Sequence, residues 1–124
     1  MTPLLQVALG GALGASARYM TGIAAARLLG KGFPWGTLTV NIVGSFLMGV
    51  LVVALLHLSA NRYAPLLMTG VLGGFTTFSA FSLDAITLYE RGQGGLAAVY
   101  VAGSVILSLA ALLAGLTLAR SAVS

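Results

Sequence analysis

The sequence predicts an all-α membrane protein with four transmembrane helices, and two observations support this: its composition and its hydropathy pattern. Hydrophobic residues make up 59% of the 124 residues and charged residues only 6%, whereas globular domains contain about 45–50% and about 25%. So few charges cannot cover the surface of a water-soluble fold. We therefore expect a lipid-facing surface and a single domain over residues 1–124.

Four apolar runs have roughly the 20 residues that a bilayer requires. They lie at Leu4–Ile23, Gly36–Leu58, Pro65–Leu88 and Gly95–Ala119. The connections between them are too short to form a soluble domain. Four helices of this size leave no room for a transport pathway within one chain, so the sequence predicts a dimer.

Glycine is abundant, with 17 residues, and it often occurs at small-xxx-small spacing, as in Gly10 with Gly14 and Ala111 with Gly115. In lipid this spacing lets helix backbones approach closely, which predicts tightly packed helices. The alternative is that glycine and alanine are simply common in membrane helices.

The basic residues are divided almost evenly between the two sides of this four-helix arrangement. One side carries Arg62 and Arg120, and the other carries Arg27, Lys31 and Arg91. Because an excess of Lys and Arg in cytoplasmic loops sets the orientation of a membrane protein, this weak bias predicts insertion in either orientation. Two copies in opposite orientations would then pair as an antiparallel, dual-topology homodimer.

The residue inventory argues against several functional classes. The net charge is +4, but the six basic residues are scattered, whereas nucleic-acid binding needs clustered Lys and Arg. His57 has no second histidine, cysteine or neighbouring acid, and no serine is placed beside a base. Because metal sites of side chains and hydrolytic sites need such groupings, we expect neither an enzyme nor a nucleic-acid partner.

The third apolar run contains an unusual polar segment, Gly73–Ser82, in which two glycines are followed by hydroxyl residues interleaved with phenylalanines. Paired glycines and adjacent threonines lower helix propensity, so this segment predicts a break in the third helix. Backbone carbonyls freed by a break at mid-membrane can coordinate a cation. The alternative is a kinked helix whose hydroxyls bond back to their own backbone.

Two groups of side chains are candidates for an anion path. Phe78 and Phe81 share a helix face, where their ring edges would attract an anion weakly, although ordinary packing is the alternative. Tyr100, Ser104 and Ser108 follow one another at i, i+4 and i+8. Their hydroxyls can replace water around a small hydrated anion, although hydrogen bonding between helices is the alternative.

Two polar residues in the first two runs are further candidates. Asn41 is costly to bury in a membrane, and its amide can donate to an anion or to a partner helix. Arg18 either extends to the headgroups or lines a vestibule that concentrates anions. Spacing alone does not choose between these roles.

Taken together, these segments resemble the Fluc or CrcB family of bacterial fluoride channels. The resemblance covers nearly the whole chain and is strongest at Gly73–Ser82, which is close to the family pattern Gly-Gly-x-Thr-Thr-Phe-Ser-Thr-Phe-Ser. Trp35–Asn41 and the glycine-rich start that ends in Arg18 support it. Ala80 departs from the pattern, since the family usually has threonine there, and the change removes a hydroxyl beside the phenylalanines.

The resemblance implies a fluoride-selective channel in the inner or plasma membrane of a bacterium, through which fluoride leaves the cytoplasm passively down its electrochemical gradient. It also implies an antiparallel homodimer with two pores at the subunit interface and a structural Na⁺ ion at its centre. The carbonyl oxygens of Gly73 and Thr76 from both copies would hold this ion. Phe78 and Phe81 would be the pore phenylalanines, and Arg18 would lie near an aqueous vestibule. The other fluoride-pathway residues would be Asn41, Ser79, Ser82, Tyr100, Ser104 and Ser108.

Two other functions are compatible with a small four-helix membrane chain. A small multidrug transporter needs a membrane-embedded carboxylate for proton-coupled export of cations, and Asp84, late in the third run, is the sole candidate. A non-transporting membrane subunit would use its polar residues only to join helices.

Overall fold

The computed structural model describes all 124 residues, and its regular structure is entirely helical. Helix α1 spans Pro3–Leu29 and α2 spans Trp35–His57. A 3₁₀ turn at Asn61–Tyr63 leads into the third segment, which runs from Pro65 to Glu90. Helix α5 spans Gly94–Val123 and completes the chain.

Three stretches are long and apolar enough to cross a membrane: Trp35–His57, Asn61–Glu90 and Gly94–Val123. They confirm the prediction of an all-α membrane protein. Helix α1 has 27 residues, a length of about 40 Å at 1.5 Å per residue. It continues to Leu29, beyond the predicted limit at Ile23, and ends where Gly30 adopts a φ of +84°, a conformation that glycine enters without steric cost.

The backbone of the third segment changes conformation along its length. Pro65–Leu72 forms a π-helix, and Gly73–Phe75 adds one turn of α-helix, α3. Residues 76–78 are not helical, and Thr76 is extended, with φ −85° and ψ 162°. Helix α4 then covers Ser79–Glu90. Its first turn is capped by the Thr77 hydroxyl, which accepts the Ala80 N–H at 3.1 Å.

Glycines set the closest helix crossings. Gly10 and Gly14 lie where α1 meets the π-helix, and Gly49 and Gly115 lie where α2 meets α5. A Cβ atom at any of these four positions would overlap a carbonyl oxygen of the opposite helix. Since lipid tails provide no hydrophobic drive between helices, such backbone contact is a main source of their attraction. The two crossings therefore hold the bundle together.

Replacing Gly115 with alanine is expected to destabilise the bundle, because the new Cβ would overlap the Phe46 carbonyl oxygen and push α2 away from α5. Such overpacking costs about 1–3 kcal/mol. The midpoint of thermal unfolding in detergent should fall accordingly. Gly95→Ala is the control, because a Cβ there meets nothing within 4 Å and alanine favours helix over glycine. If Gly115→Ala melts no lower than this control, α2 and α5 are not in backbone contact at Gly115.

Candidate functional site

A cavity of about 560 Å³ lies beside the non-helical residues 76–78, between α2, the third segment and α5. We refer to it as the central cavity. Its lining includes seven of the residues that the sequence singled out: Asn41, Gly73, Thr76, Phe78, Phe81, Ser104 and Ser108. Hydroxyl, amide and phenyl groups that are distant in the sequence therefore border one space.

Asn41 fixes the backbone of the non-helical segment. Its Nδ2 donates to the Thr77 carbonyl oxygen at 3.0 Å, and its Oδ1 accepts the Thr77 N–H at 2.8 Å. The side-chain amide thus supplies both partners that the peptide groups of Thr77 need once the helix stops. The sequence indicates Asn41 as a donor but does not indicate this pairing, because no sequence signal joins residues 36 positions apart.

Two backbone carbonyls lose their helical donors in this segment. In a continuous helix the Thr77 and Ala80 amides would donate to the carbonyl oxygens of Gly73 and Thr76. Here the Thr77 amide donates to Asn41, and the Ala80 amide donates to the Thr77 hydroxyl. Carbonyl oxygens of this kind suit hard cations. The chain has no group of three or more His, Cys, Asp or Glu side chains that could hold a metal ion.

The two phenylalanines of the polar segment form one end of a row of aromatic rings. The ring centroids of Phe78 and Phe81 are 5.6 Å apart, and those of Phe81 and Tyr100 are 5.2 Å apart. Phe81 is buried among α4 and α5, with 8% of its surface exposed, whereas Phe78 is 77% exposed. One ring is therefore fixed by the core, and the other stands on the surface of the protomer.

The hydroxyl groups of Tyr100, Ser104 and Ser108 on α5 lie in different surroundings. Ser104 is buried, and its Oγ has no hydrogen-bond partner, a costly state for a hydroxyl; Ser104 and Ser108 both line the central cavity. Tyr100 does not line it, and its hydroxyl donates to Asp84 Oδ2 at 3.1 Å. Of the three hydroxyl residues predicted to line the anion path on α5, the two serines thus border the cavity. The tyrosine hydroxyl instead donates to Asp84, which was not among the predicted path residues.

The remaining hydroxyls of the polar segment lie outside the lining of the central cavity. Ser82 Oγ donates to the Phe78 carbonyl oxygen at 3.0 Å, one turn back along the helix. Ser79 Oγ lies 3.4 Å from the Thr77 hydroxyl. Both side chains are therefore engaged with the backbone and hydroxyls of their own segment.

Arg18 lies against the third segment. Its Nε donates to the Gly74 carbonyl oxygen at 3.0 Å, a hydrogen bond strengthened by the guanidinium charge. The other guanidinium nitrogens form no hydrogen bond within the chain. Arg18 lines a second cavity of about 350 Å³ together with Thr77 and Ala80. A positive charge is thus held one residue from the Gly73 carbonyl.

Known proteins show the same sequence pattern over nearly the whole chain. Residues 5–116 match the family described as CrcB-like protein, Camphor Resistance (CrcB). A protein of Cereibacter sphaeroides, named fluoride-specific ion channel FluC, is 71% identical over 120 residues, which cover 97% of this chain and 96% of its own.

Two further relatives carry the same name. The protein of Paracoccus denitrificans is 60% identical over 94% of this chain and 93% of its own, and that of Agrobacterium fabrum is 54% identical over 98% of both. These matches confirm the resemblance inferred from the motifs. With the family pattern matched over residues 5–116 and relatives aligned over nearly their full lengths, this chain belongs to the CrcB family.

Proposed function

We propose that this protein is a fluoride-selective channel, and not an enzyme, that lets fluoride leave the bacterial cytoplasm passively down its electrochemical gradient. The observation that carries the proposal is the lining of the central cavity, which combines two phenyl rings with an unpartnered buried hydroxyl and contains no charged side chain. A fixed cation would bind a small anion too tightly to release it, whereas hydroxyl groups and ring edges replace its water weakly. The names of the close relatives support fluoride as the substrate.

The fluoride path of this proposal follows the residues that border the central cavity. Ser104 donates its free hydroxyl to the ion, and Ser108 offers a second one farther along α5. Phe78 and Phe81 present their ring edges, and Asn41 has one amide hydrogen left after its pairing with Thr77. Tyr100, Ser79 and Ser82 extend the path beyond the cavity.

The channel of this proposal is an antiparallel homodimer in the bacterial inner or plasma membrane, with all four helical segments spanning the bilayer. The central cavity lies at the surface of one chain, and Phe78 on its border is 77% exposed. A path for a hydrated ion must be shielded from lipid. A second copy would provide that shield, and the even division of basic residues supports opposite orientations for the two copies.

A structural Na⁺ ion between the two copies completes the proposal. The carbonyl oxygens of Gly73 and Thr76 have lost their helical donors, and two such carbonyls from each of two copies would give the ion an all-oxygen site. Na⁺ is a hard cation, for which oxygen ligands are suitable. Its charge would hold the two third segments together.

A small multidrug transporter is not favoured. Its proton-coupled exchange would need a carboxylate within the binding cavity. Asp84 lies outside the lining of the central cavity and accepts a hydrogen bond from Tyr100.

Purified protein in liposomes is expected to pass fluoride and to exclude chloride, because the central cavity offers donors to a small anion without a fixed charge to attract any anion. Efflux can be followed with ion-selective electrodes after a potassium ionophore removes the membrane potential. Binding of aromatic cations without fluoride efflux would support a drug transporter. Loss of both activities would leave a non-transporting subunit.

Replacing Phe78 or Phe81 with isoleucine is expected to lower fluoride flux by about tenfold or more, since an aliphatic side chain fills the space but has no positive edge. The same liposome assay measures the effect. Phe46→Ile is the matched control, because this ring does not line the central cavity, and its flux should stay near wild type. Unchanged flux in either test variant would contradict a pore role for that ring.

Replacing Na⁺ with a large organic cation is expected to weaken the dimer and to lower flux together. The monomer–dimer equilibrium in detergent provides the measurement. Asn41→Ala frees the Thr77 amide to bond the Gly73 carbonyl, so its dimer should be weaker and should lose its response to Na⁺. Thr76→Ser keeps the carbonyl and should keep the response. A wild-type dimer of equal strength with and without Na⁺ would refute the carbonyl site.

A further inference from the structure

One buried polar side chain of α1 takes no part in the central cavity. Gln6 has only 8% of its surface exposed, whereas most side chains of α1 are exposed. Its Oε1 accepts the Leu66 N–H at 3.2 Å, and its Nε2 donates to the Met1 carbonyl oxygen at 3.4 Å. A buried amide is costly unless it is hydrogen-bonded. Both ends of this one are engaged with backbone, and one of them holds the third segment.

The N–H that Gln6 accepts is the first one in the π-helix. Pro65 begins that helix and has no N–H, so the N–H of Leu66 is the first to need an acceptor. The first N–H groups of a helix have no acceptor within it. If the preceding 3₁₀ turn continued as an α-helix, the Leu66 N–H would donate to the Arg62 carbonyl oxygen, four residues back. Gln6 supplies an acceptor from the neighbouring helix instead.

The winding that begins beside Gln6 extends to Gly73. The Gly73 N–H donates to the carbonyl oxygens of Met68 and Gly70. The first of these lies five residues back, which is the spacing of a π-helix. Gly73 also carries one of the two carbonyls that have lost their helical donors. The direction of that carbonyl therefore follows from the winding of the residues before it.

Helix α1 holds the π-helix from both ends. Gln6 bonds the backbone at Leu66, and Arg18 bonds the Gly74 carbonyl oxygen at 3.0 Å. Between these two attachments the backbones are in contact, because a Cβ on Gly10 or Gly14 would overlap a carbonyl oxygen of the third segment. One continuous helix thus serves as the frame on which the π-helix is fixed.

We propose that Gln6 is a positioning residue for the Na⁺ site: by accepting the Leu66 N–H it fixes where the π-helix begins, and so sets the direction in which the Gly73 carbonyl faces. The inference rests on the proposed channel with its carbonyl site. It adds to that site a residue of α1 that does not border the central cavity. Gln6 acts at the start of the segment as Asn41 acts at its break, since each side-chain amide accepts a backbone N–H from another helix.

The geometry of a carbonyl site makes it sensitive to this winding. A binding site needs its ligands within about 0.5 Å and about 10–20° of the productive arrangement. Each residue of an α-helix turns the chain by about 100°. A change from π-helical to α-helical winding before Gly73 therefore exceeds what the site tolerates, even when it affects a single turn. The acceptor at the start of the π-helix thus has a direct bearing on cation affinity.

Gln6→Met removes the acceptor but keeps an unbranched side chain of similar length that favours helix. Half-maximal dimer formation in detergent is expected to need about fivefold more Na⁺ than in wild type, because the loss of one hydrogen bond frees the Leu66 N–H for α-helical bonding. Fluoride flux in liposomes should fall at low Na⁺ and return to within about twofold of wild type at saturating Na⁺. A general loss of stability would not follow the Na⁺ concentration in this way.

Two further variants separate positioning from stability. Gln6→Glu keeps an oxygen at the same reach, and a negative charge is favourable at a helix N-terminus, so its Na⁺ midpoint should be close to that of wild type. Thr2→Ala is the matched control, because the Thr2 hydroxyl accepts the Leu5 N–H within α1 and its loss weakens the same end of that helix. Its midpoint should equal that of wild type. A Gln6→Met midpoint equal to that of Thr2→Ala would overturn the role of Gln6.

The carbonyl ¹³C resonance of Gly73 gives a readout that does not depend on ion binding. In lipid samples with K⁺ in place of Na⁺, it is expected to shift in Gln6→Met and to keep its wild-type position in Gln6→Glu and Thr2→Ala. An unshifted resonance in Gln6→Met would contradict the proposal. A wild-type dimer that does not respond to Na⁺ would instead refute the carbonyl site, and the Gly73 resonance would then decide by itself whether Gln6 sets the winding.

Discussion

The pairing of Asn41 with the peptide groups of Thr77 is the interaction on which the candidate site depends. A backbone that leaves helical structure within a membrane must find other partners for its N–H and C=O groups. Asn41 supplies one donor and one acceptor to a single residue. This satisfies the polar groups of Thr77 and, at the same time, leaves the Gly73 carbonyl without its helical donor. One side chain on α2 thus stabilises the non-helical conformation of the third segment and determines which of its backbone groups lack a helical partner.

This pairing requires α2 to lie very close to the third segment. Gly44, three residues after Asn41, faces Thr76, and a Cβ there would overlap the Thr76 methyl group. An alanine at this position would force the Thr76 side chain to rotate, because the close atom is its terminal methyl group. The glycines at the other helix crossings likewise allow the backbones of neighbouring helices to touch. The hydrogen bonds of Asn41 to the backbone of Thr77 therefore depend on this close packing of the helices.

Hydropathy was sufficient to predict the helical class and the approximate position of each segment, because lipid imposes length and apolarity on each one. The site was predicted only in part. Ser104, Ser108 and the phenylalanines came from local spacing, which a helix preserves. The Arg18 contact with Gly74 and the Asp84 contact with Tyr100 join distant positions. These contacts depend on how the helices cross, and spacing within one helix carries no information about that.

The π-helix at Pro65–Leu72 determines which way the rest of the third segment faces. A π-helix bonds each residue to the fifth along, and so accommodates an additional residue in a turn. Winding the same residues as an ordinary α-helix, at about 100° per residue, would rotate the residues that follow about the helix axis. Gly73 and Thr76 would then turn away from the central cavity although the sequence is unchanged. The winding of the helix before the polar segment is thus as strict a requirement as the identity of the residues within it.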